Sequence, residues 1–449
     1  MAGTRTRERI QSPISVGIYH APGPVRDKLR SALLKSGYDV SCEVPCGVPL
    51  DPTNAALNAD AWLTKWTFGL NGRTLRELHP RSALVTMSVG TDHIDLAAAK
   101  SVGLDVFNCP TYCSVSVAEH ALALGFRAIY GPTKLPSFAS QTVIFDHFSD
   151  GFAESAVAQI LMRSRQMEES ITRAKEYDYE RGDAPWRNHQ LTGSTVAIIG
   201  HDRKVSNLAR ILRLGFQCNL VGFDFDRNLE AFGVLSRPLE LVSHCNYIFN
   251  CSGEVDIEGT RIDSRSLPKP EKEFTGSNVL VLGAGGIGSI IARISKLGFD
   301  CSTASLSRTE KNPLSAIGVR YTSRIEPPLV DSDFIFICLP LNEDTVGILS
   351  QTRFAVIGRR PVIVNVTRDE IVDNQALYIA LQDGLVRAYG TDVLPDDKVL
   401  WARGNPKELT TRFLGLGNVV ATPHEADCSR QSLHKLVSEV EQRLTRLNR

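Results

Sequence analysis

The residues with the clearest chemical potential form the glycine-rich segment Gly283-Ala-Gly285-Gly-Ile-Gly288. This segment follows the short apolar run Asn278–Leu282 and precedes the largely apolar, helix-forming stretch Ser289–Leu297. In a strand–turn–helix unit the first glycine permits the tight turn, the second lets the backbone approach a ligand, and the third lets helix and strand pack closely. The helix N-terminus then offers free N–H groups and a positive dipole to a phosphate. The segment therefore predicts a pyrophosphate site for NAD or NADP.

The choice between these two dinucleotides depends on the residues that follow the second strand of the unit. NAD sites usually place Asp or Glu there, where the carboxylate holds the ribose hydroxyls. This chain has Ser307 and Arg308 instead. Because a guanidinium pairs bidentately with a phosphate, these residues favour the 2′-phosphate of NADP, with NAD as the alternative.

An earlier stretch repeats the same design without the glycines. The runs Ser194–Gly200 and Ser277–Gly283 are both apolar and end in glycine, and each leads through a helical pattern to Leu-Gly-Phe. The repeat predicts two tandem Rossmann-like units. In the first copy of the repeat, Asp202 would repel phosphates and Val205 would crowd the contact between helix and strand. We therefore predict that the first copy binds no cofactor.

The composition narrows the class of protein. A chain of 449 residues is expected to form two or three domains, and its 50 basic and 50 acidic residues give no reason to expect nucleic acid or an anionic membrane as partner. The apolar runs are strand-length, and the polar N-terminus lacks a secretory signal. The pairs Cys42/Cys46 and Cys109/Cys113 have no second pair at zinc-site spacing. We expect a soluble, reduced, cytoplasmic protein without a metal site.

Strand and helix patterns alternate along the chain, which predicts an α/β fold with Rossmann-like, doubly wound parallel sheets. Residues 105–120 and 142–157 also show a faint mutual similarity, for which chance resemblance between strand–loop–helix patterns is an alternative. Before residue 131 we predict strands at Val16–Tyr19, Ala61–Leu63, Ala83–Thr86 and Val106–Phe107, and helices at Val25–Ser36, Leu96–Lys100 and Val115–Ile129.

Several motifs then follow the glycine segment in a fixed order. They are Leu339-Pro-Leu-Asn-Glu-Asp-Thr345, Asn365-Val-Thr-Arg368, Tyr389-Gly-Thr-Asp392 and Ala421-Thr-Pro-His424. In order and spacing they resemble the D-isomer-specific 2-hydroxyacid dehydrogenases. Upstream, Val89-Gly-Thr-Asp92 and Ser116-Val-Ala-Glu-His120 resemble first-domain motifs of that family. The likeness covers about 1–130 and 276–449, with a weaker match over 153–253.

The resemblance implies a reversible hydride transfer between nicotinamide C4 and C2 of a 2-oxo or 2-hydroxy acid. At the matching positions, Arg368 would hold the substrate carboxylate with its planar fork. His424 would be the general acid for reduction and the base for oxidation, since imidazole changes protonation near neutral pH. The family pairs this histidine with a glutamate. Here that position holds Asp397, one methylene shorter, and Asp392 and Asp396 compete for the role.

The resemblance also assigns binding residues, whereas His93 and His120 are predicted to be structural because nothing in the sequence places them beside the cofactor. Asp392 would contact the nicotinamide end, and the N–H groups of Val89 and Gly90 would bind the substrate carboxylate. The predicted cofactor-binding residues are Gly283, Gly285, Gly286, Ile287, Gly288, Ser307, Arg308, Leu339, Pro340, Thr345, Thr367 and Asp392, and the predicted substrate-binding residues are Lys65, Trp66, Val89 and Gly90.

Two departures from the family pattern shape the predicted organisation. Glu425-Ala-Asp-Cys follows His424 where the family usually has small or apolar residues, and the segment 141–275 has no counterpart in the ordinary architecture. We predict a flavodoxin-like split catalytic (substrate) domain over 1–140, completed by 425–449. A degenerate Rossmann-like module without cofactor would occupy 141–275, and an NAD(P)-binding Rossmann domain would occupy 276–424.

These observations predict an NAD(P)H-dependent 2-oxoacid reductase whose partner is a small-molecule 2-oxo or 2-hydroxy acid. The alternative is a dinucleotide-sensing binding or scaffold protein of the same fold with weak or lost catalysis. Family members generally dimerise through their dinucleotide domains. The extra module is therefore expected either to occupy the partner's surface, which gives a monomer with an internal pseudo-dimer, or to alter the interface of a homodimer.

Overall fold

The contacts of the computed structural model divide the chain into two compact units, one of residues 1–112, 181–183 and 433–449 and one of residues 113–180 and 184–432. The three-domain division stays a prediction. Trp66, Gly200 and Asp202 lie outside the described residues. The structure describes residues 13–19, 21, 23–44, 59–65, 70–77, 83–131, 143–146, 152–179, 186, 188–199, 205–223, 231, 233–236, 245, 247–250, 260–263, 270, 272–310, 312–401 and 404–447.

The first unit contains a five-stranded parallel sheet of order β2-β1-β3-β4-β5, which is the flavodoxin-like order. Strand β2 was not predicted. It alternates Asp, Ser and Glu with Val and Cys, as an edge strand with one polar face does. Its elements are β1 Ser15–Tyr19, α1 Gly23–Lys35, β2 Asp39–Val44, β3 Ala61–Thr64, α2 Gly72–Glu77, β4 Ala83–Thr86, α3 Leu96–Ser101 and β5 Asp105–Asn108, followed at the C-terminus by the helix Arg430–Leu447.

The second unit begins with a four-stranded parallel sheet, of order β10-β7-β8-β9, and a parallel pair, β11-β6. A π-helical turn at Ile211–Gly215 extends its helix α7. Its elements are α4 Ser114–Tyr130, β6 Val143–Asp146, α5 Phe152–Ser164, α6 Met167–Lys175, β7 Thr195–Ile199, α7 Val205–Arg210, β8 Asn219–Phe223, β9 Leu235–Ser236, β10 Tyr247–Asn250 and β11 Thr260–Asp263.

The same unit contains a seven-stranded, wholly parallel sheet of order β14-β13-β12-β15-β16-β17-β18. The strand order reverses between β12 and β15, which opens a crevice at their carboxyl ends. Its elements are β12 Asn278–Leu282, α8 Gly286–Arg293, a π-helical turn Ile294–Gly298, β13 Ser302–Leu306, α9 Asn312–Ser315, β14 Arg320–Thr322, α10 Glu326–Asp331, β15 Phe334–Ile337, α11 Gln351–Phe354, β16 Val362–Asn365, a 3₁₀ turn Asp369–Ile371, α12 Asn374–Gln382, β17 Ala388–Thr391, α13 Asp397–Trp401, α14 Glu408–Leu414 and β18 Val419–Ala421.

Helix α4 packs into the core of the second unit through an aromatic cluster. The rings of Phe126 and Phe274 are 5.5 Å apart, and those of Phe274 and Phe299 are 5.1 Å apart, both near edge-to-face. Phe334 on β15 meets Phe274 at 4.9 Å in the same geometry. Edge-to-face contacts of buried rings add to the free energy that burial alone provides. The cluster therefore fixes α4 against the seven-stranded sheet.

The repeat in the sequence recurs as repeated contacts in the second unit. Glu119 on α4 accepts hydrogen bonds at 2.9 and 2.6 Å from the N–H groups of residues 191–192, which lead into β7. Glu154 on α5 accepts hydrogen bonds at 2.8 and 2.7 Å from the N–H groups of residues 274–275, which lead into β12. Each glutamate therefore supports the start of a different copy.

The two copies meet at equivalent positions. A β-carbon added to Gly215 would lie 3.1 Å from the Cα of Gly298, and one added to Gly298 would lie 3.1 Å from the Cα of Gly215. Equivalent residues that touch each other lie on a local two-fold axis. The π-helical turns that carry these glycines therefore pack as two halves of a symmetric pair.

Candidate active site

The glycine turn between β12 and α8 requires glycine at two positions. Gly283 has a positive φ of 107°, and a β-carbon there would lie 2.8 Å from the carbonyl oxygen of Cys338. A β-carbon at Gly288 would lie 1.9 Å from the carbonyl oxygen of Gly283. A β-carbon at Gly285 would meet no other described atom within 4 Å. The backbone therefore admits no side chain at positions 283 and 288, whereas the space next to Gly285 is open.

The turn lies where the sheet order reverses, because Gly283 directly follows β12 and Cys338 directly follows β15. Gly286 and Ile287 are the first residues of α8, so their N–H groups point out of the helix without intrahelical partners. A pyrophosphate fits this place, since the space above Gly285 is open and the helix dipole favours an anion. The hydroxyl of Ser114, at the start of α4, would lie 2.8 Å from a β-carbon at Gly286, and its proximity was not predicted.

The first copy cannot form the same turn. Val205, its residue at the position of Gly288, is the first residue of α7 and is fully buried. The place of Gly288 leaves no room for any β-carbon next to a carbonyl oxygen. A valine at that place therefore excludes the conformation that residues 283–288 adopt. The remaining residues of that loop, 200–204, lie outside the described residues.

The adenosine end of the crevice is marked by Ser307 and Arg308, which directly follow β13. The N–H of Ser307 donates to the carbonyl of Thr322 at the end of β14, at 3.1 Å, and its hydroxyl donates to the carbonyl of Thr309 at 2.8 Å. Arg308 is exposed. The pairing of β13 with β14 also brings the backbone of Arg324 to this edge of the sheet, which the sequence alone did not indicate.

The loop after β15 is held by one hydroxyl. Thr345 donates to the carbonyl of Pro340 at 2.6 Å and accepts from the N–H of Asn342 at 2.9 Å. Leu339 lies beside the turn, since its Cδ2 would be 3.3 Å from a β-carbon at Gly283. The loop therefore faces the glycine turn across the crevice, as expected of residues that contact the same ligand.

Arg368 lies at the carboxyl end of β16 on a loop held by Asn365. The side-chain amide of Asn365 donates to the carbonyl of Arg368 at 2.9 Å and accepts from the N–H of Thr367 at 3.1 Å. Arg368 is half-buried, and its Nη1 donates to the carbonyl of Thr367 at 2.8 Å. The guanidinium is thus fixed by its own loop at the edge of the sheet where the glycine turn lies.

His424 and Asp397 form a close pair at the next strand ends. Nδ1 of His424, which follows β18, lies 2.5 Å from Oδ2 of Asp397, the first residue of α13. Asp396 instead pairs with Lys407. Since an ionised carboxylate only accepts hydrogen bonds, Nδ1 of the ring is the donor when Asp397 is ionised. Among the three competing aspartates, Asp397 is the one that contacts the histidine through a hydrogen bond.

Asp392 holds the loop that follows His424. Its Oδ1 accepts from the hydroxyl of Thr422 at 2.6 Å and from the N–H of Glu425 at 2.9 Å, and its Oδ2 accepts from the N–H of Ala426 at 2.8 Å. Burial raises the pKa of Asp392 to about 6, although the charge of His424 and these hydrogen bonds lower it. The contact of Asp392 with a nicotinamide stays a prediction.

A third carboxyl group, Asp369, follows Arg368 and was not singled out from the sequence. Burial raises the pKa of Asp369 to about 8, and its hydrogen bond with Glu370 and the charges of Glu370 and Asp397 act in the same direction. At pH 7 the neutral form of Asp369 predominates. It therefore does not cancel the positive charge of the neighbouring Arg368.

The predicted substrate residues that the structure describes belong to the first unit. Lys65 directly follows β3 and its side chain is buried, whereas Val89 and Gly90 follow β4. The carbonyl of Val89 accepts from the side-chain amide of Asn108 at 2.6 Å. Because β3 and β4 are paired, Lys65, Val89 and Gly90 share one edge of the sheet.

Two other expectations concern ions and membranes. Among the described residues, no group of three His, Cys, Asp or Glu side chains could hold a metal ion. Within the same part of the chain, no helix has the length and apolar character that crossing a bilayer requires. Seven cysteines are buried, namely Cys109, Cys113, Cys218, Cys245, Cys301, Cys338 and Cys428.

Comparisons with known proteins agree with this geometry. Residues 258–426 match the family described as the D-isomer specific 2-hydroxyacid dehydrogenase, NAD binding domain. The chain is 30% identical over 161 residues to glyoxylate/hydroxypyruvate reductase B of Yersinia pseudotuberculosis, which covers 35% of this chain and 46% of that protein. It is 29% identical over 170 residues to glyoxylate reductase of Pyrococcus furiosus, covering 37% and 47%. The chain thus matches about half the length of these curated relatives.

Two solved structures share the fold. The pyruvate reductase of Chlamydomonas reinhardtii superposes with a TM-score of 0.58 and 18% identity, over 97% of each chain. D-lactate dehydrogenase from Aquifex aeolicus superposes with a TM-score of 0.57 and 18% identity, over 96% of this chain and 94% of that one. The predicted α/β fold with Rossmann-like parallel sheets is therefore confirmed.

Proposed function

We propose that the chain is a member of the D-isomer-specific 2-hydroxyacid dehydrogenase family, whose NAD-binding domain matches residues 258–426, and that it reduces a 2-oxo acid with NAD(P)H. The observation that carries the proposal is the 2.5 Å contact between His424 and Asp397, at the same edge of the sheet as the glycine turn. An acid–base pair beside a dinucleotide crevice suits proton transfer coupled to hydride transfer.

The side chains divide the work of the reaction. A reduced nicotinamide dinucleotide held by the turn 283–288 would supply the hydride for C2 of the substrate. His424 donates the proton on Nε2 to the carbonyl oxygen, and it takes that proton back in the oxidation direction. Asp397 accepts a hydrogen bond from Nδ1–H, orients the ring and stabilises the imidazolium. The product is a 2-hydroxy acid, so hydride and proton together account for the two hydrogens added.

Arg368 would hold the substrate carboxylate and polarise the adjacent carbonyl. Its planar guanidinium meets a carboxylate with two parallel hydrogen bonds. Asp369 supports this role because its raised pKa keeps it largely neutral at pH 7. From the first unit, the predicted contribution is the N–H groups of Val89 and Gly90, with Lys65 and Trp66 on the second predicted substrate loop.

NADPH is the proposed coenzyme of choice. Ser307 and Arg308 stand where a carboxylate would hold the ribose of NAD, and Arg324 starts from the neighbouring strand end. Two guanidinium groups at this edge favour a phosphate dianion over two hydroxyls. NADH is expected to bind through the shared pyrophosphate site but more weakly.

The test is a panel of 2-oxo acids that includes glyoxylate, hydroxypyruvate and pyruvate, assayed with NADPH and with NADH by the loss of reduced-nicotinamide absorbance. We expect turnover with at least one acid, and a loss of kcat in His424→Asn without a loss of NADPH binding. Tight NADPH binding without turnover of any acid would instead support the alternative, a dinucleotide-sensing protein.

We also propose that the second unit is an internal pseudo-dimer and that the chain is a monomer. The local two-fold contact between Gly215 and Gly298, together with the two glutamates that each support a copy, is what a symmetric pair of dinucleotide domains would form. Light scattering coupled to gel filtration is expected to give the mass of one chain. A mass of two chains would reject this proposal without affecting the catalytic one.

A further inference from the structure

The loop that follows His424 forms hydrogen bonds with side chains of the segment that contains helices α5 and α6. Arg165, fully buried just after α5, donates from Nη2 to the carbonyl of Ala426 at 2.8 Å and from Nη1 to the hydroxyl of Ser116 at 2.9 Å. Ser116 in turn donates to the same carbonyl at 2.7 Å. Because a carbonyl oxygen has two lone pairs, it can accept both hydrogen bonds.

Glu425 forms the second contact between this segment and the loop. Its side chain is 1% exposed, and its Oε2 accepts from Nη1 of Arg173 on α6 at 2.8 Å. Its Oε1 accepts from the hydroxyl of Ser170, one turn earlier on the same helix. A buried carboxylate is strongly destabilising unless it is paired and hydrogen-bonded. Glu425 is thus hydrogen-bonded to Ser170 and paired with Arg173, both on helix α6.

Apolar packing continues the same contact. Ala174 on α6 and Tyr179 share a buried cluster with Leu394, Leu400 and Ala421. Leu394 and Leu400 flank Asp397 in the sequence, and Ala421 ends β18 three residues before His424. Helix α6 therefore packs on the chain segments that carry both members of the acid–base pair.

The backbone of His424 explains why such support is needed. Its φ of 52° lies in the left-handed region, which is unfavourable for a residue other than glycine. Such a conformation persists only where the surroundings determine it. The N–H groups of the next two residues donate hydrogen bonds to Asp392. The same two residues accept hydrogen bonds from Arg165 and Arg173. The orientation of the imidazole follows from that loop.

We propose that the segment α5–α6 is a clamp on residues 424–429 and that Arg165 and Arg173 are positioning residues for His424. The proposal rests on the proposed function for the role of His424, but the clamp itself is a structural statement. In this proposal helices α5 and α6 serve the chemistry of the second copy by holding the loop of its proposed general acid in place.

The activity test uses Arg173→Met, Glu425→Gln and the double variant in the full-length chain. Arg173→Met leaves a buried carboxylate unpaired, so we expect kcat to fall about 10- to 100-fold, as misplacement of a catalytic group does, with the Kd of NADPH within about twofold. The double variant is expected to recover part of the loss because no charge stays unpaired. The pH profile of kcat/KM should also shift, since the ring of His424 changes its partner.

The matched control is Arg127→Met. Arg127 on α4 forms a bidentate pair with Glu168 on α6, at 2.7 and 3.1 Å, and this pair does not touch the 424–429 loop. Like Arg173→Met, the Arg127→Met variant removes a guanidinium that pairs with a carboxylate, but here the carboxylate belongs to Glu168 on α6. We expect it to keep the wild-type kcat and the wild-type pH profile. If Arg127→Met and Arg173→Met have equal effects on kcat and on the pH profile, the positioning role is wrong.

Two further measurements do not depend on turnover. Hydrogen exchange of the peptide spanning 422–432 is expected to rise about tenfold in Arg173→Met and to stay unchanged in Arg127→Met. The downfield proton resonance of the His424–Asp397 hydrogen bond should be lost or shifted in Arg173→Met alone. Unchanged exchange and an unchanged resonance in Arg173→Met would overturn the clamp. A wild-type protein that turns over no acid would instead overturn the proposed function, while these two measurements still judge the clamp.

Discussion

Two copies of one strand–turn–helix motif lie within the second compact unit. They differ at the turn rather than in the surrounding strands and helices, which we call the frame. In the first copy the thiol of Cys218 donates to the carbonyl of Leu191 at 3.3 Å, and in the second Cys301 donates to Phe274 at 3.1 Å. The position that requires Gly288 in the second copy is a buried valine in the first. The frame is thus maintained by packing and backbone hydrogen bonds, whereas the glycines serve a ligand.

The difference teaches that a degenerate copy can keep a structural use. Its segment with helices α5 and α6 contacts the loop that follows His424, and its π-helical turn packs against that of the other copy. Both uses depend on the frame, which is intact. Neither depends on the phosphate turn, which a valine excludes. The first copy therefore acts as a partner of the second.

The largest expected effect comes from giving the second copy the residue of the first. In Gly288→Val a β-carbon would overlap the carbonyl oxygen of Gly283, so the turn must open. We expect NADPH binding to fall below detection by calorimetry, with a loss of about 1–3 kcal/mol in the free energy of unfolding. The control is Val205→Ala, which should lower stability but leave the Kd of NADPH unchanged. Wild-type affinity in a folded Gly288→Val protein would remove the turn from the cofactor site.

The next effect concerns the adenosine end, which is described only in the second copy. Arg308→Ala should weaken NADPH about 10- to 100-fold, because charge-assisted hydrogen bonds to the 2′-phosphate are lost, and should leave NADH unchanged. The control is Arg320→Ala. Arg320 lies at the amino end of β14, away from the carboxyl ends that Arg308 follows, and it donates to Ser302. Equal losses for NADPH and NADH in Arg308→Ala would mean that this residue does not read the 2′-phosphate.

The two glutamates that support the copies offer a direct pairwise test. Glu154→Gln and Glu119→Gln each remove the charge that accepts two backbone hydrogen bonds, so each should lower the free energy of unfolding by about 1–3 kcal/mol. The loss should be smaller for Glu119, because burial raises the pKa of its carboxyl and so disfavours its charged form. Denaturant unfolding measures both. If Glu119→Gln leaves stability unchanged, the first copy does not contribute to the shared frame.

The sequence predicted the parts of this comparison that depend on local pattern. The glycine turn, the repeat and the parallel sheets follow from short motifs and from apolar runs, and the fold is confirmed. The site residues stay predictions, although His424 and Asp397 do meet. What was missed depends on pairing between distant segments. Arg324 reaches the crevice only through the β13–β14 pairing, and the contact of Arg173 with Glu425 joins residues far apart in the chain.

The smallest expected effect sharpens the electrostatic side of the second copy. Asp369 has a folded-state pKa of about 8, above the ordinary value of 3.8, so the folded state binds a proton that the unfolded chain releases. This group therefore makes stability fall as the pH rises from about 4 to 8, and it has no further effect above pH 8. Asn cannot ionise and lacks this dependence. Thermal unfolding of Asp369→Asn should show a gain in Tm over the wild type that grows between pH 5 and 8 and then levels off. Asp331→Asn, at an exposed carboxyl, is the control and should show no such trend. A constant difference in Tm across this range would contradict the raised pKa and, with it, the neutral neighbour of Arg368.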